Sequence, residues 1–326
     1  MVRGWSSLQA IRLVDTRDMP REEWLKRRQR GIGGSDIAAC AGMHPWRTAL
    51  DVWLDKTGKG EPKEETESMV FGRKLEGFVA QEFAERHPEW RVEPVDAILG
   101  HPKYPWALAN IDRLLIGPDG EEAVLEVKTT SSFRQDEFQE HKLPDYITLQ
   151  LMWYLGICGL KRGFVAVLIG GQAYREYEVE FDRDLFGMLL DIAEGFWALV
   201  ENETPPAPDG SEASTELLNR MYSTGKDTSI DLPLESMSLV EQYQQAKNEE
   251  TAAGLRKTEA ENRLKAMLGE NERGYAGFQE IQWKTVRNQR LDTKALRAEE
   301  PDIYERFLKE SSYRRFSIPR EESEAV

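Results

Sequence analysis

Residues 109–128, Ala-Asn-Ile-Asp-Arg-Leu-Leu-Ile-Gly-Pro-Asp-Gly-Glu-Glu-Ala-Val-Leu-Glu-Val-Lys, hold the residue types best suited to chemistry in this chain. Asp112 is expected on one strand, Gly117-Pro118-Asp119-Gly120 reads as a turn, and Leu125-Glu126-Val127-Lys128 is expected on a second strand. A strand sends successive side chains to opposite faces. Glu126 and Lys128 therefore point one way, while Leu125 and Val127 enter the other layer. Two carboxylates and a lysine at the ends of paired strands suit a hard divalent cation, Mg²⁺ or Mn²⁺, with a charged group beside its water. That is a phosphodiesterase layout: the cation polarises a scissile phosphate and acidifies a bound water, and Lys128 orients that water or offsets charge at phosphorus. The same spacing also occurs on ordinary surface hairpins, so other residues must converge on it.

Glu76 is one such residue. It lies one position past Leu75 and three before Val79, at the edge of the expected buried stripe Phe71, Leu75, Phe78, Val79 and Phe83. A carboxylate there is costly unless paired or metal-bound; the plainer alternatives are a glutamate reaching water or meeting Arg73. Gly31-Ile32-Gly33-Gly34-Ser35-Asp36 leads into a short helix with Ser35 expected as its N-cap. Glycine-rich backbone before a helix start exposes N–H groups that favour an anion, and Arg28 just upstream would add a bidentate phosphate contact. The alternative is a capped helix after a flexible turn. Gln150 and Tyr154, at i and i+4, share one helix face and would position the metal-water network or a DNA phosphate. Otherwise they form the polar rim of an amphipathic helix.

The elements that must position these residues can be read in outline. Helices are expected over 22–30, 35–41 and 48–57, each followed by Gly, and over 69–86. Strands are expected over 92–99, 106–116 and 122–130, then a helix over 145–157, a hairpin of 163–169 and 173–181 turning at Gly170-Gly171, and a helix over 184–200. Helices inserted between strands predict an α/β domain over 1–202, a central mixed sheet flanked by helices. A linker rich in breakers follows at 203–216. Residues 217–326 form a helical/α+β C-terminal module: a long polar helix over 236–269, a strand pair within 274–286, a helix over 292–310 and a basic, aromatic close at Tyr313-Arg314-Arg315-Phe316. The long helix has sparse apolar positions (Leu239, Tyr243, Ala246, Leu264, Met267, Leu268), a weak coiled-coil signal.

Composition narrows the function classes. Two cysteines, Cys40 and Cys158, make no disulfide framework and cannot supply the four ligands of an iron–sulfur cluster. The histidines (His44, His87, His101, His141) lack zinc-site spacing. No apolar run approaches the roughly 18 residues of a membrane span, and Met-Val-Arg-Gly-Trp-Ser-Ser lacks a signal peptide's apolar core, so a cytoplasmic protein is expected. A net charge of −15 argues against a general polyanion binder. Basic residues are nevertheless concentrated at 21–30, five against two acidic, and at 284–297, five against one, as a nucleic-acid track would require.

These pieces, in this order, resemble the lambda-exonuclease-like branch of the PD-(D/E)XK nuclease superfamily, known in phage genomes as the YqaJ viral recombinase family. The matching residues are Trp24 with Arg28, Gly31 to Ala39, Pro45-Trp46, Trp53 with Lys56-Thr57-Gly58, Phe71-Gly72-Arg73-x-Leu75-Glu76, Asn110-Ile111-Asp112, Leu125-Glu126-Val127-Lys128 and Gln150-x-x-x-Tyr154, spanning residues 20–200. The resemblance implies a PD-(D/E)XK restriction-endonuclease-like core and a Mg²⁺-dependent deoxyribonuclease, with Mn²⁺ able to substitute. Such enzymes resect double-stranded DNA from 5′ ends and leave a 3′ strand for a single-strand annealing protein in phage recombination. It implies a phage or prophage protein in a bacterial host, and some family members are closed trimers. Carried across, Glu76, Asp112, Glu126 and Lys128 are catalytic. Asp112, Glu126 and the Val127 carbonyl hold metal, with Glu76 at a second metal or its water. Arg28 and Ser35 bind a 5′-phosphate, and Gln150 and Tyr154 flank the site. No proline precedes Asp112, and residues 217–326 lie outside these motifs. Two other readings stand beside the exonuclease: a structure-specific endonuclease on flaps or branches, and a non-catalytic DNA-end binder or recombination scaffold.

Overall fold

The computed structural model describes residues 8–60, 65–139 and 142–319. The N-terminal heptapeptide read above for a signal sequence, and His141, lie outside the described residues. The chain divides into two units, Met1–Met221 and Tyr222–Val326.

The first unit contains strands β1 (Ile11–Asp15), β2 (Arg91–Pro94), β3 (Ala97–Gly100), β4 (Leu108–Ala109), β5 (Arg113–Ile116), β6 (Glu122–Thr130), β7 (Arg162–Ile169) and β8 (Ala173–Glu180). Its helices are α1 (Arg21–Arg28), α2 (Gly34–Cys40), α3 (Ala49–Lys56), α4 (Glu67–Arg86), α5 (Asp145–Cys158), α6 (Arg183–Glu201) and α7 (Glu212–Met221). The central sheet runs β2-β5-β6-β7-β8, antiparallel except for the parallel β6–β7 pair, which α5 connects. A smaller antiparallel sheet runs β1-β3-β4. This is the central mixed sheet flanked by helices that the sequence predicts.

β6 and β7 are apolar on both faces because both are covered. Ala123, Leu125 and Val127 of β6 join Phe164, Ala166 and Leu168 of β7 against Val79, Ala80 and Phe83 of α4. On the opposite face Val124, Val165, Val167 and Ile169 pack on Ile147, Leu151 and Trp153 of α5. The stripe expected on α4 is narrower than its sequence implied: Phe71 and Phe78 are exposed. Val79 and Phe83 lie one turn apart with Ala80 beside them, and Phe78 is turned about 100° away from Val79.

Two expected strands break. Residues 92–99 become β2 and β3, which belong to different sheets, and 106–116 become β4 and β5. Asp112 therefore precedes β5 instead of lying within a strand. The β5–β6 ladder runs from Arg113–Leu125 to Ile116–Glu122. Just beyond it Asp112 Oδ2 accepts from the Val127 N–H at 2.8 Å, so a side chain takes the place of a ladder carbonyl. Residues 212–216, expected in the linker, start α7 instead, and the division between units falls after Met221. Ala213 and Leu217 share a buried face one turn apart, and Asp209 holds the helix start by accepting from Ser211 and Ser214.

The second unit holds α8 (Ser236–Leu268), the hairpin β9 (Arg273–Ala276) and β10 (Gln279–Gln282), α9 (Thr293–Glu299) and α10 (Pro301–Phe307). Gly277 turns the hairpin with φ 63°. The single helix expected over 292–310 divides at Glu300-Pro301, since Pro disfavours helical backbone at the preceding residue. Among the described residues of this unit only Leu268 is buried. No described helix of the chain is long and apolar enough to cross a membrane.

Candidate active site

Glu126 sits at the middle of β6 and is 2% exposed. Its Oε1 accepts from Lys128 Nζ at 2.6 Å and from Gln150 Nε2 at 2.5 Å. Gln150 Oε1 in turn accepts from Lys128 Nζ at 3.0 Å, and Gln150 Nε2 lies 3.2 Å from the Tyr154 hydroxyl. The alternation of β6 and the i,i+4 face of α5 thus converge on one carboxylate. Burial raises the Asp112 carboxyl well above the usual carboxylate range, and the Glu126 and Glu76 charges push it further. Burial also raises Glu126, against the opposing pull of Lys128. Burial alone would lower Lys128, but the Glu126 and Asp112 carboxylates prevail and hold it up as an ammonium. Lys128 is therefore suited to carry charge, not to act as a base.

Glu76 does not join this pair directly. Its Oε1 is 2.6 Å from Arg113 Nη1, and Arg113 Nη1 also donates to the Asp112 carbonyl at 2.7 Å. Arg73, its alternative partner by sequence, pairs with Glu65 instead. Among the described residues no group of three or more His, Cys, Asp or Glu side chains is gathered closely enough to hold a metal ion. The donor chemistry still fits a hard cation at the Asp112–Glu126 pair. Among the described residues Glu126 Oε2 is buried without a hydrogen-bond partner, and the Glu126 charge raises the proton affinity of half-buried Asp112, which a divalent charge would relieve. Val127, the remaining expected ligand, lies between Glu126 and Lys128 on the same strand with its N–H given to Asp112.

The glycine segment folds differently from its expected capping. The N-cap of α2 is Gly33, in extended conformation, and Ser35 lies inside the first turn. Asp36, at the third helical position, reaches back to accept from the Gly33 N–H at 2.9 Å, so that donor is not offered to an anion. Ser35 Oγ instead receives Arg28 Nη2 at 2.5 Å, and the Arg28 guanidinium lies 4.5 Å from the Trp24 ring centroid. The candidate phosphate contact is this Arg28–Ser35 pair. Asp36 is 1% exposed and is held by Lys56 Nζ at 2.7 Å and Arg47 Nη1 at 2.5 Å. Lys56 Nζ also donates to the Arg28 carbonyl at 3.0 Å, tying α1 to α2 and α3.

Gly34 joins the two halves of the site. A Cβ added there would lie 2.6 Å from Tyr154 Cζ and 3.0 Å from Gln150 Cγ, so only glycine lets α2 approach α5 this closely. Gly34→Ala is expected to lower unfolding stability by about 1–3 kcal/mol through overpacking. It is also expected to displace the side chains that hold Glu126. Urea denaturation followed by a cleavage assay checks this; unchanged stability would mean that the helices separate freely.

Sequence reasoning missed the residues around Lys128 that come from other segments. His44, Trp46 and Tyr146 form an edge-to-face cluster with centroids 5.2–5.7 Å apart. Arg134 covers Trp46 at 4.0 Å and donates to the Tyr146 hydroxyl at 3.0 Å. Burial and the Arg47, Lys128 and Arg134 charges lower the His44 imidazole to about 4, so it is neutral near pH 7. The signal for Trp46 was the Pro45-Trp46 motif; nothing local announced Tyr146 or Arg134. Arg47 and Arg113 were also missed, because their partners lie 11 and 37 residues away.

Residues 23–161 match the family model of the YqaJ-like viral recombinase domain. The chain is similar to the uncharacterized protein YqaJ of Bacillus subtilis strain 168, 37% identical over 318 residues that cover 96% of this chain and 98% of that protein. Among solved structures it is similar to an alkaline exonuclease from Laribacter hongkongensis, with a TM-score of 0.48 and 17% identity over 62% of this chain and 98% of that one. It is also similar to a phage related exonuclease from Haemophilus somnus 129PT, with a TM-score of 0.40 and 8% identity over 59% of this chain and 96% of that one.

Proposed function

This chain belongs to the YqaJ viral recombinase family, and we propose on that premise that it is a Mg²⁺-dependent deoxyribonuclease acting 5′→3′ from the ends of duplex DNA. The observation that carries this reading is the Asp112–Glu126 pair, Glu126 buried and Asp112 half-buried, with an unpartnered Glu126 oxygen and the Lys128 ammonium at its side. Asp112, Glu126 and the Val127 carbonyl would hold Mg²⁺, or Mn²⁺ in its place, with Glu76 available if it leaves Arg113. When bound, such a cation supplies Lewis-acid polarisation of a phosphate and a more acidic water.

The chain's own groups do the rest. Lys128 presents a fixed positive charge where negative charge develops on the phosphate oxygens, and Gln150 fixes both Lys128 and Glu126 through its two amide atoms. Tyr154 closes the inner side of this network. Arg28, aligned by Trp24 and Ser35, supplies the charge and the N–H fork for a terminal 5′-phosphate. Its charge also acts on Tyr154, so end recognition and the carboxylate pair adjoin. The family's viral setting supports resection for recombination, with a single-strand annealing protein as the partner of the product.

A linear duplex bearing a 5′-phosphate is expected to be degraded faster than its dephosphorylated twin, in a time course with each end labelled separately. The preference should vanish in Arg28→Gln. Equal rates at both kinds of end with efficient cutting of flaps or closed circles would favour the endonuclease. DNA that binds yet survives both Mg²⁺ and Mn²⁺ would favour the scaffold.

A further inference from the structure

The 33-residue helix α8 supplies none of the residues assigned above to the proposed chemistry. One face repeats every seven residues as Leu239, Ala246, Ala253, Ala260 and Met267, and the intervening positions are Tyr243, Glu250, Lys257 and Leu264. This face is exposed throughout: Leu239 is 62% and Met267 81% exposed. Phe316 lies edge-on to Tyr243 at 5.5 Å, yet Tyr243 stays 38% exposed. A helix about 50 Å long whose heptad face is left open among the described residues gains little stability from its own packing.

The charges indicate what covers it. α8 carries five acidic and five basic residues, so its net formal charge is zero and neither nucleic acid nor an anionic membrane is drawn to it. A second copy laid antiparallel, centred between residues 251 and 252, pairs every small residue with a long one. Ala253 meets Glu250 of the second copy, Ala246 meets Lys257, Ala260 meets Tyr243 and Leu239 meets Leu264. Glu250 then neighbours Lys257 of the second copy in the adjoining layer, and Glu249 flanks its Arg256. A parallel pair would instead stack Glu250 on Glu250 and Lys257 on Lys257, which like-charge repulsion opposes.

We propose that α8 is an assembly helix that pairs antiparallel with α8 of a second copy of this chain, its direction set by Glu250 and Lys257. The pairing is independent of the nuclease reading. The test is sedimentation of the full chain over a concentration series, with helix content followed by circular dichroism. The wild type is expected to associate through pairs of copies. E250K and K257E should each weaken association by at least about tenfold, while E250K/K257E, which restores the opposite charges across the antiparallel pair, returns it to near the wild-type value. A wild type that remains at the 37.4 kDa of one chain would overturn the proposal. So would single variants that sediment like the wild type, or a double variant that fails to recover. Variants that change duplex DNA retention and leave the mass unaltered would assign the face to nucleic acid instead.

Discussion

Asp112→Asn is expected to abolish DNA cleavage and, in metal-free protein at neutral pH, to raise the melting temperature. Both effects come from one cause. The folded chain holds the Asp112 and Glu126 carboxylates at raised proton affinity, because burial disfavours both charged forms and the Glu126 and Glu76 charges disfavour that of Asp112 further. A group whose folded pKa is raised contributes stability that is complete below its unfolded pKa and is lost as pH rises through the folded pKa. At neutral pH the raised proton affinity of the pair therefore opposes folding. The amide of Asn removes one charge, and its oxygen can still accept the Val127 N–H that Asp112 Oδ2 takes at 2.8 Å. The gain should shrink as the pH falls into the ordinary carboxylate range, where wild type and variant become equally neutral.

The same substitution removes a cation ligand, so cleavage should fall by about 10³-fold or more, a loss comparable with removing a fixed group that stabilises transition-state charge. Thermal melts with and without Mg²⁺ separate the two consequences. A cation that binds only the folded chain stabilises it by mass action. Mg²⁺ should raise the wild-type midpoint and leave that of Asp112→Asn almost unmoved. A variant that melts lower than wild type at pH 7, or that cleaves at an undiminished rate, would show that the pair is an ordinary structural feature.

The sequence made the centre of this site legible, because its geometry depends on local periodicity. Glu126, Lys128, Leu125 and Val127 alternate on β6, and Gln150 and Tyr154 fall on one face of α5, as their spacing requires. What was not legible depends on groups brought together from afar. Asp112 looked like a strand residue, since only the bond to Val127 ends the ladder before it. Ser35 looked like an N-cap, since only Asp36 turning back to Gly33 moves the helix start forward. Residues 92–99 look continuous, but Val95-Asp96 carries the chain from one sheet to another. β1 went unassigned because its first three residues are exposed and it is fixed by pairing with β3, more than eighty residues later. The pairing of Glu76 with Arg113 has no local signature at all.

Asp36→Ala is expected to destabilise the first unit by about 3–5 kcal/mol, the usual cost of breaking a buried ion pair by removing one partner. Lys56 Nζ and Asp36 are both almost inaccessible to water, and Arg47 closes the other carboxylate oxygen. Without Asp36, two cations remain in a pocket that offers Lys56 the Arg28 carbonyl at 3.0 Å and Asp55 at 3.8 Å, and Arg47 Asp55 and the Ser35 carbonyl at 3.4 Å each. Burial alone would raise the Asp36 carboxyl, but Lys56, Arg47 and Arg28 overcome it and depress its pKa far below the ordinary range. A depressed folded pKa gives stability that is present above the unfolded pKa, about 4 for Asp, and lost as pH falls through the folded pKa. Urea midpoints of wild type and variant should therefore differ by a constant amount from pH 5 to about pH 8 and converge only in strong acid. Removing Lys56 as well should cost much less in the Asp36→Ala background than in wild type, because Asp36, the buried charge that its removal would strand, is already gone. If the two losses simply add, the pair is not coupled. The glycine segment would then be held by the packing of Gly34 on α5 alone.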